Sequence, residues 1–273
     1  MRKLKFEIPE SVQAELDARD AAQEKATVEA LENGVFQLKY PWANENRGIP
    51  NAFLRSALFG VVRRGRRAMI KDAEIAAWGD TSIRFTGEQL QQSDQDVWMA
   101  CVEACKRAGR TEVVVGQREL MRLIGRKNGN SKQLWSDLKR LIFAGIEVEA
   151  ERFSYAGTLI HSAVKDEQTK KIVLSINPQM AALFGAGATH IEAEQRHALV
   201  SELSKWMQGY VLSHKSSYRK PHLIGLDKLQ VLCGSQSDIR KFRFNIKKSM
   251  AELKEQKAIA GWLLENDVLK LWL

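Results

Sequence analysis

Cysteines and long apolar segments are both scarce in this chain of 273 residues. The three cysteines, Cys101, Cys105 and Cys233, lack the even number and regular spacing of a disulfide framework. No segment approaches the roughly 20 apolar residues that span a bilayer, and the opening stretch MRKLKFEIPE lacks the apolar core of a secretory signal. We therefore expect a cytoplasmic protein with reduced thiols.

Motifs of enzymes that act on nucleotides or DNA strands are also missing. The stretch GRKNGNSK lacks the adjacent Gly-Lys of a phosphate-binding loop, and FGAGATH has a histidine where a third glycine would be needed. The five histidines form no His-x-His site of a nicking enzyme, and no His-x-x-Arg of a recombinase precedes the last tyrosine, Tyr218. Cys101 and Cys105 could supply two zinc ligands, but no second pair completes a site, which favours two small core residues. We expect no catalysis, no metal and no cofactor.

Positive charge is the most pronounced feature of the composition. The chain has 42 Lys and Arg against 33 Asp and Glu, a formal net charge of +9. Residues 1–34 contain 5 basic and 8 acidic residues, a balance of −3, so the remaining residues carry +12. An excess of this size favours a polyanionic partner, either nucleic acid or an anionic membrane.

The two halves of the chain share one predicted order of elements: helix, short strand, short helix, tight turn, longer helix and β-hairpin. Gly116 and Gly125 mark the first short helix, and Gly225 and Gly234 mark the second. A glycine that closes a helix is typical of a left-handed C-terminal residue. We interpret the shared order as an internal duplication.

Helix, turn, helix and hairpin together form the pattern of a winged helix-turn-helix. The sequence thus predicts an α+β fold, predominantly helical, with two tandem winged helix-turn-helix domains. The expected boundaries are 1–48 for an N-terminal helix and extended connector, 49–190 for the first winged domain, and 191–273 for the second.

The stretch LCGSQSDIRKFRFNIKKS, Leu232 to Ser249, predicts the recognition helix of the second domain. Ile239, Phe242 and Ile246 fall on one face at helical spacing, which we assign to the core. SQSD fits a capping box, which starts the helix near Ser235 and leaves its positive end free to hold a phosphate. A solvated basic face is the alternative, but the turn, the hairpin and the duplication favour DNA. The residues expected to contact DNA are Ser235, Gln236, Ser237, Arg240, Lys241, Phe244, Lys247 and Lys248.

The equivalent helix of the first domain is less charged, so we expect it mainly to contact phosphates, which set position rather than sequence. The basic cluster RRGRR that precedes it is either a third contact with the DNA backbone or a disordered basic loop. The candidate residues of this domain are Lys127, Asn130, Lys132, Ser136, Lys139 and Arg140, together with Arg63, Arg64, Arg66 and Arg67 of the cluster.

The chain resembles plasmid replication initiator proteins of the TrfA type, which bind repeated origin sequences called iterons. The resemblance covers about residues 49–273. The stretches that carry it are PNAFLRSALF, IRFTGEQLQQSDQDVW, ELMRLIGRKNGNSKQLWSDLKRL, INPQMAALFGAG and LQVLCGSQSDIRKFRFNIKKSMAEL.

The resemblance implies two winged-helix domains, of which the second reads the sequence and the first adds DNA contacts and a dimer surface. It implies that monomers bind double-stranded DNA and help open the origin, that dimers are generally inactive in initiation, and that the host replicative helicase and host initiator are partners. Some members also carry a peptide for the sliding clamp. At that place this chain reads Gln37 to Tyr40 followed by Pro41 instead of the final Phe, which favours a lead-in strand.

A tandem winged-helix transcriptional regulator is the main alternative function. Its DNA chemistry would be the same, so the residues alone do not separate the two. The resemblance favours the initiator, as clustered direct repeats beside the gene would, whereas a single palindrome would favour a repressor.

Overall fold

The computed structural model describes residues 42–62, 65, 67–126, 130–150, 153–214 and 221–272. Within these ranges the chain forms nine α-helices and fourteen β-strands, so the fold mixes helices and strands and the expected predominance of helix is wrong. No helix in the described ranges is both long enough and apolar enough to cross a membrane.

The helices are α1 Asn51–Leu54, α2 Gln92–Ala108, α3 Gln117–Ile124, α4 Ser131–Ile142, α5 Ala181–Gly185, α6 Ala193–Ala198, α7 Glu202–Leu212, α8 Leu226–Leu232 and α9 Ile239–Glu255. The strands are β1 Asn46–Pro50, β2 Phe59–Gly60, β3 Met69–Ile75, β4 Ser82–Glu88, β5 Leu90–Gln91, β6 Glu112–Gly116, β7 Gly145–Ala150, β8 Phe153–Thr158, β9 Ser162–Lys165, β10 Lys171–Ser175, β11 Ala188–Glu192, β12 His222–Gly225, β13 Gly261–Glu265 and β14 Val268–Trp272.

Two three-stranded antiparallel sheets have the same internal order. In the first half β6 pairs with β10, which pairs with β9. In the second half β12 pairs with β14, which pairs with β13. The first half adds a four-stranded sheet, β3-β4-β7-β8, and a short pair of β1 with β11.

Buried apolar residues form two clusters. The first runs from Trp42 to Ile191 and surrounds α2, whose Trp98 and Cys101 are fully buried. The second runs from Leu199 to Leu271 and packs α7, α8 and α9 against the sheet β12-β14-β13. Burial of this apolar surface is the main favourable term that holds each half together.

A buried polar network joins the two clusters. The Nε atom of Arg196 lies 2.5 Å from the Oδ1 atom of Asp96 on α2, and Lys205 Nζ lies 2.6 Å from the other carboxylate oxygen. Nearby, the backbone N–H of Val61 donates to the carbonyl of Cys233 at 2.7 Å. Because buried charges and N–H groups need their partners, these contacts hold the second half in a defined orientation on the first.

The sequence pattern misplaces two helices and misses one strand. NAFLRSALFGVV from Asn51 has the pattern of a short apolar helix, but the chain is helical only to Leu54 and then turns into β2. Strand β3 was not anticipated, since it alternates only weakly. The single helix expected at the start of the second half is broken between α6 and α7, where the Ser201 side chain accepts a hydrogen bond from Ser204 N and caps α7.

Candidate nucleic-acid interface

The outer face of α9 presents cationic side chains to solvent. Phe242, Ile246 and Met250 are fully buried on the opposite face, as expected from their spacing. Ile239, assigned to the core from the sequence, is instead 40% exposed, because the first turn projects beyond the cluster. All five residues of α9 that are expected from the sequence to contact DNA are exposed on the outer face: Arg240, Lys241, Phe244, Lys247 and Lys248.

The start of α9 differs from the expected capping box. Asp238 is itself the N-cap residue, and its Oδ1 atom accepts from Lys241 N at 2.9 Å. The helix therefore begins at Ile239, and a carboxylate already lies at the end that we expected to hold a phosphate. A phosphate on these N–H groups would meet the negative charge of Asp238, so this part of the sequence-based expectation is wrong.

The turn that precedes α9 is tightly constrained. Gly234 has φ of 68°, the left-handed conformation that glycine adopts at little cost. Ser235 and Ser237 are half-buried with hydroxyl oxygens 3.1 Å apart, and the side-chain amide of Gln230 donates to the Ser237 carbonyl. Gln236 between them is exposed. Of the three predicted contacts in this turn, Gln236 is thus the most accessible.

Asp267, whose contact with α9 the sequence did not indicate, links the terminal hairpin to that helix. Its carboxylate accepts two hydrogen bonds from Arg243, at 2.7 Å from Nε and 2.6 Å from Nη2. Its backbone carbonyl accepts from Leu226 N, the first residue of α8, at 2.8 Å. Asn266 and Asp267 both have positive φ, as a two-residue hairpin turn requires. An Asn-Asp turn was the available sequence signal for the hairpin, but its partner on α9 was not deducible from spacing.

Helix α4 of the first half begins at Ser131. The sequence allows Asn130 or Ser131 as its cap, and the structure has Asn130, whose side chain accepts from Lys132 N at 2.9 Å. Lys132, Ser136 and Lys139 are exposed along its outer side. Its inner side buries Leu134, Leu138 and Leu141 completely. Helix α4 therefore has fewer free cations than α9.

Two arginines expected to face DNA are buried in ion pairs. The Arg140 side chain is 8% exposed, and its Nη1 atom lies 2.5 Å from Asp94 and 3.1 Å from Asp137. Arg67 is 13% exposed and also pairs with Asp94, whose side chain is fully buried. Burial disfavours charged Arg140, but the neighbouring carboxylates, Asp94 foremost, raise its pKa above the ordinary value. The outward orientation predicted for Arg140 and Arg67 is wrong, because the buried Asp94 requires cationic partners. Lys127, Arg63, Arg64 and Arg66 lie outside the described residues.

In the described part of the chain no group of three or more His, Cys, Asp or Glu residues is arranged to hold a metal ion. Cys101 and Cys105 are fully buried on α2, and burial raises the pKa of the Cys105 thiol to about 12. Both cysteines therefore act as small core residues that stay protonated at neutral pH.

Two histidines pack together where the two clusters meet. The ring centroids of His214 and His222 are 4.2 Å apart, and Trp78 packs edge-on against both. Burial lowers the pKa of His214 to about 4, and the charge of Arg55 adds to this effect. Burial followed by Arg55 also lowers the pKa of His222, whose Nε2 atom lies 2.8 Å from the Tyr210 hydroxyl. Both rings are therefore neutral at pH 7.

We expect the protein to lose stability as the pH falls from about 6.5 toward 4. The unfolded chain protonates His214 near its ordinary pKa of about 6.5, whereas the folded chain keeps it neutral, so the unfolded state binds more protons in this window. The loss due to His214 is about 2 kcal/mol, less than the full pKa difference implies, since part of the ring environment is solvated. Urea unfolding at pH 7.5 and pH 5 measures it.

The variant His214→Gln should lose less stability between these two pH values than the wild type does. His161→Gln, at an exposed position, serves as the control and should behave like the wild type. An equal loss in all three proteins would show that the histidine pair does not cause the pH dependence.

Comparison with known proteins gives matches that extend over most of the chain. The sequence is 24% identical over 268 residues to the plasmid replication initiator protein TrfA of Escherichia coli, covering 93% of this chain and 69% of that protein. A crystal structure of domains 2 and 3 of RctB superposes with a TM-score of 0.55 at 11% identity, covering 82% of this chain and 98% of that one. A second RctB structure, of residues 155–483, gives 0.52 at 10% identity, with 78% and 95% covered. At these identities the likeness to RctB concerns the fold alone. The sequence matches the family described as TrfA protein over residues 5–271, and the chain therefore belongs to the TrfA protein family.

Proposed function

We propose that this chain is a plasmid replication initiator that binds repeated origin sequences, iterons, in double-stranded DNA. The observation that carries the proposal is the exposed cationic face of α9 in a member of the TrfA family. An ion pair between Arg243 and Asp267 links this helix to the adjacent hairpin. An α-helix fits into the major groove of B-DNA, and exposed Lys and Arg side chains neutralise the phosphates on either side of that groove.

We further infer that each half is a winged helix-turn-helix and that the two arose by duplication. Helices α3 and α8 each follow a short strand directly and are closed by a glycine of positive φ, Gly125 and Gly234. The equal strand orders β6-β10-β9 and β12-β14-β13 support the same relation.

One hydrogen bond recurs in both halves and supports the assignment of a wing in the first half. The carbonyl of Lys170, before β10, accepts from Gln117 N at the start of α3 at 3.0 Å. The carbonyl of Asp267, before β14, accepts from Leu226 N at the start of α8 at 2.8 Å. Both turn residues have positive φ, 56° and 59°. The wing of the first half is therefore β9–β10, whereas the intervening hairpin β7–β8 joins β3 and β4.

The two halves would have different roles in DNA binding. Helix α9, with five exposed side chains on its outer face, would read base edges, and α4 would hold phosphates through Lys132 and Lys139. The first half would also supply a dimer surface. Recruitment of the host helicase and host initiator belongs to the same proposal, which involves no catalysis by this chain and places it in the bacterial cytoplasm.

Footprinting on the DNA that flanks the gene tests the proposal. We expect protection that recurs about every 20 bp, two helical turns, together with permanganate-reactive thymines where the strands open. A single palindromic footprint without melting would favour the transcriptional regulator instead. Absence of any protected sequence would contradict both functions.

A further inference from the structure

Phe244 is an exposed aromatic residue at the centre of the cationic face of α9. Its side chain is 67% exposed, whereas Phe242, two residues earlier, is completely buried. Arg240 and Lys241 precede it by one turn and Lys247 and Lys248 follow by one turn, all four exposed. At about 100° per residue the four cations span about 120° of the helix surface, and Phe244 lies at the middle of that arc.

The Phe244 ring has no aromatic neighbour within the described part of the chain. Phe53, Phe59 and Phe184 all lie within ring contact of another aromatic side chain, and no such ring contact with a described residue is found for Phe244. One turn further along the same arc is Ala251, exposed and too small to obstruct a partner. The ring is therefore accessible to a surface that approaches α9 from outside.

The surrounding charges indicate the chemistry of that surface. Four cations within one turn of the ring would have to lose water against an apolar protein groove without gaining counter-charges, which is unfavourable. A DNA major groove supplies phosphates on both sides and base edges in the middle. The apolar group exposed on those edges is the C5-methyl of thymine. The minor groove, about 6 Å wide, is too narrow for a helix.

We propose that Phe244 determines sequence specificity by packing against the methyl group of one or two neighbouring thymines in the major groove. This inference rests on the proposed function, because it assigns a role within the DNA site of α9. It also says something about the unknown target: each repeat contains thymine at the base pairs that face the second turn of α9.

The test begins with a random-sequence duplex library, since no target sequence has to be assumed. The full-length protein selects its preferred duplex from the library, and each thymine of that duplex is then replaced singly by deoxyuridine. This change removes one methyl group and leaves every hydrogen-bonding group unaltered. At the position that faces Phe244 we expect wild-type affinity to fall about three- to tenfold, as for one buried methyl group.

Variants of the protein test whether Phe244, rather than another residue of the cationic face, causes the effect of the uracil replacement. Phe244→Ala should bind thymine and uracil equally at that position, and Phe244→Leu should keep part of the preference. Alanine favours an exposed helix, so α9 should persist, and low salt restores measurable binding if the variant is weak. Phe143→Ala is the matched control, because Phe143 is 74% exposed at the end of α4 and should leave the uracil effect unchanged.

The outcomes distinguish failure of the proposed DNA-binding function from failure of the role assigned to Phe244. If the wild type enriches no sequence at all, the DNA-binding function and the role of Phe244 both fail. If a sequence is enriched but no uracil replacement weakens binding, or if Phe244→Ala keeps the same uracil effect, only the role of Phe244 is overturned.

Discussion

Replacing Arg196 with methionine should lower the free energy of unfolding by about 3 kcal/mol. The Arg196 side chain is 1% exposed, and its guanidinium donates to Asp96, to Gln92 at 2.8 Å and to the carbonyl of Lys205 at 3.0 Å. Burial raises the pKa of Asp96, but Arg196 and then Lys205 more than offset this and hold it below the ordinary value. Removing Arg196 leaves the Asp96 carboxylate buried with one cation, and Lys205 keeps the loss at the lower end of the usual range.

Urea unfolding followed by tryptophan fluorescence measures this loss. The control is Arg84→Met, the same substitution in the pair of Arg84 with Asp72, whose side chains are 45% and 71% exposed. Exposed ion pairs contribute little to stability, so the control should lose far less stability than Arg196→Met does. Similar losses in both variants would mean that the buried network between the two clusters does not stabilise the fold.

Replacing Arg240 and Lys241 together with alanine should weaken binding to the target sequence by about 2–6 kcal/mol, since each base-contacting residue contributes about 1–3 kcal/mol. The two side chains lie in the first turn of α9, where recognition helices contact base edges, and both are exposed. The preference for the target over random duplex should shrink as well. Fluorescence anisotropy with both duplexes, at several salt concentrations, measures affinity and specificity together.

Lys139→Ala provides the contrast, because Lys139 is exposed on α4, the proposed phosphate-contacting helix of the first half. Its loss should weaken target and random duplex alike, and the slope of log affinity against log salt should become shallower by about one. A loss of discrimination in Lys139→Ala, with none in the α9 variant, would reverse the proposed roles of the two helices.

Short-range pattern was enough to predict most helices of the candidate site. In α9 the core residues Phe242, Ile246 and Met250 recur at helical spacing, so their burial and the exposure of Arg240 follow from the 3.6-residue period. Gly125 and Gly234 end their helices in the left-handed conformation, as expected for glycine. The terminal hairpin follows from the same kind of pattern, because the apolar runs IAGWLL and VLKLWL flank the polar turn Glu265 to Asp267.

Contacts between residues far apart in the sequence determined the side-chain orientations, the helix cap and the strand pairing that the local pattern could not predict. Asp94 determines the orientation of Arg67 and Arg140, from which it is separated by 27 and 46 residues. Asp238 looked like the third residue of a capping box but is itself the cap, because the short α8 and its turn end later than the spacing implies. The pairing of β10, rather than β7 or β8, with β6 also depends on which strands meet in space.

The sequence by itself determined that α9 has an apolar side and a cationic side, because helical geometry assigns each residue a direction whatever surrounds it. Only the tertiary structure decided which cations remain available to a partner. A buried carboxylate is stable only with cations beside it, and Asp94 and Asp96 therefore hold Arg67, Arg140 and Arg196 inside the protein.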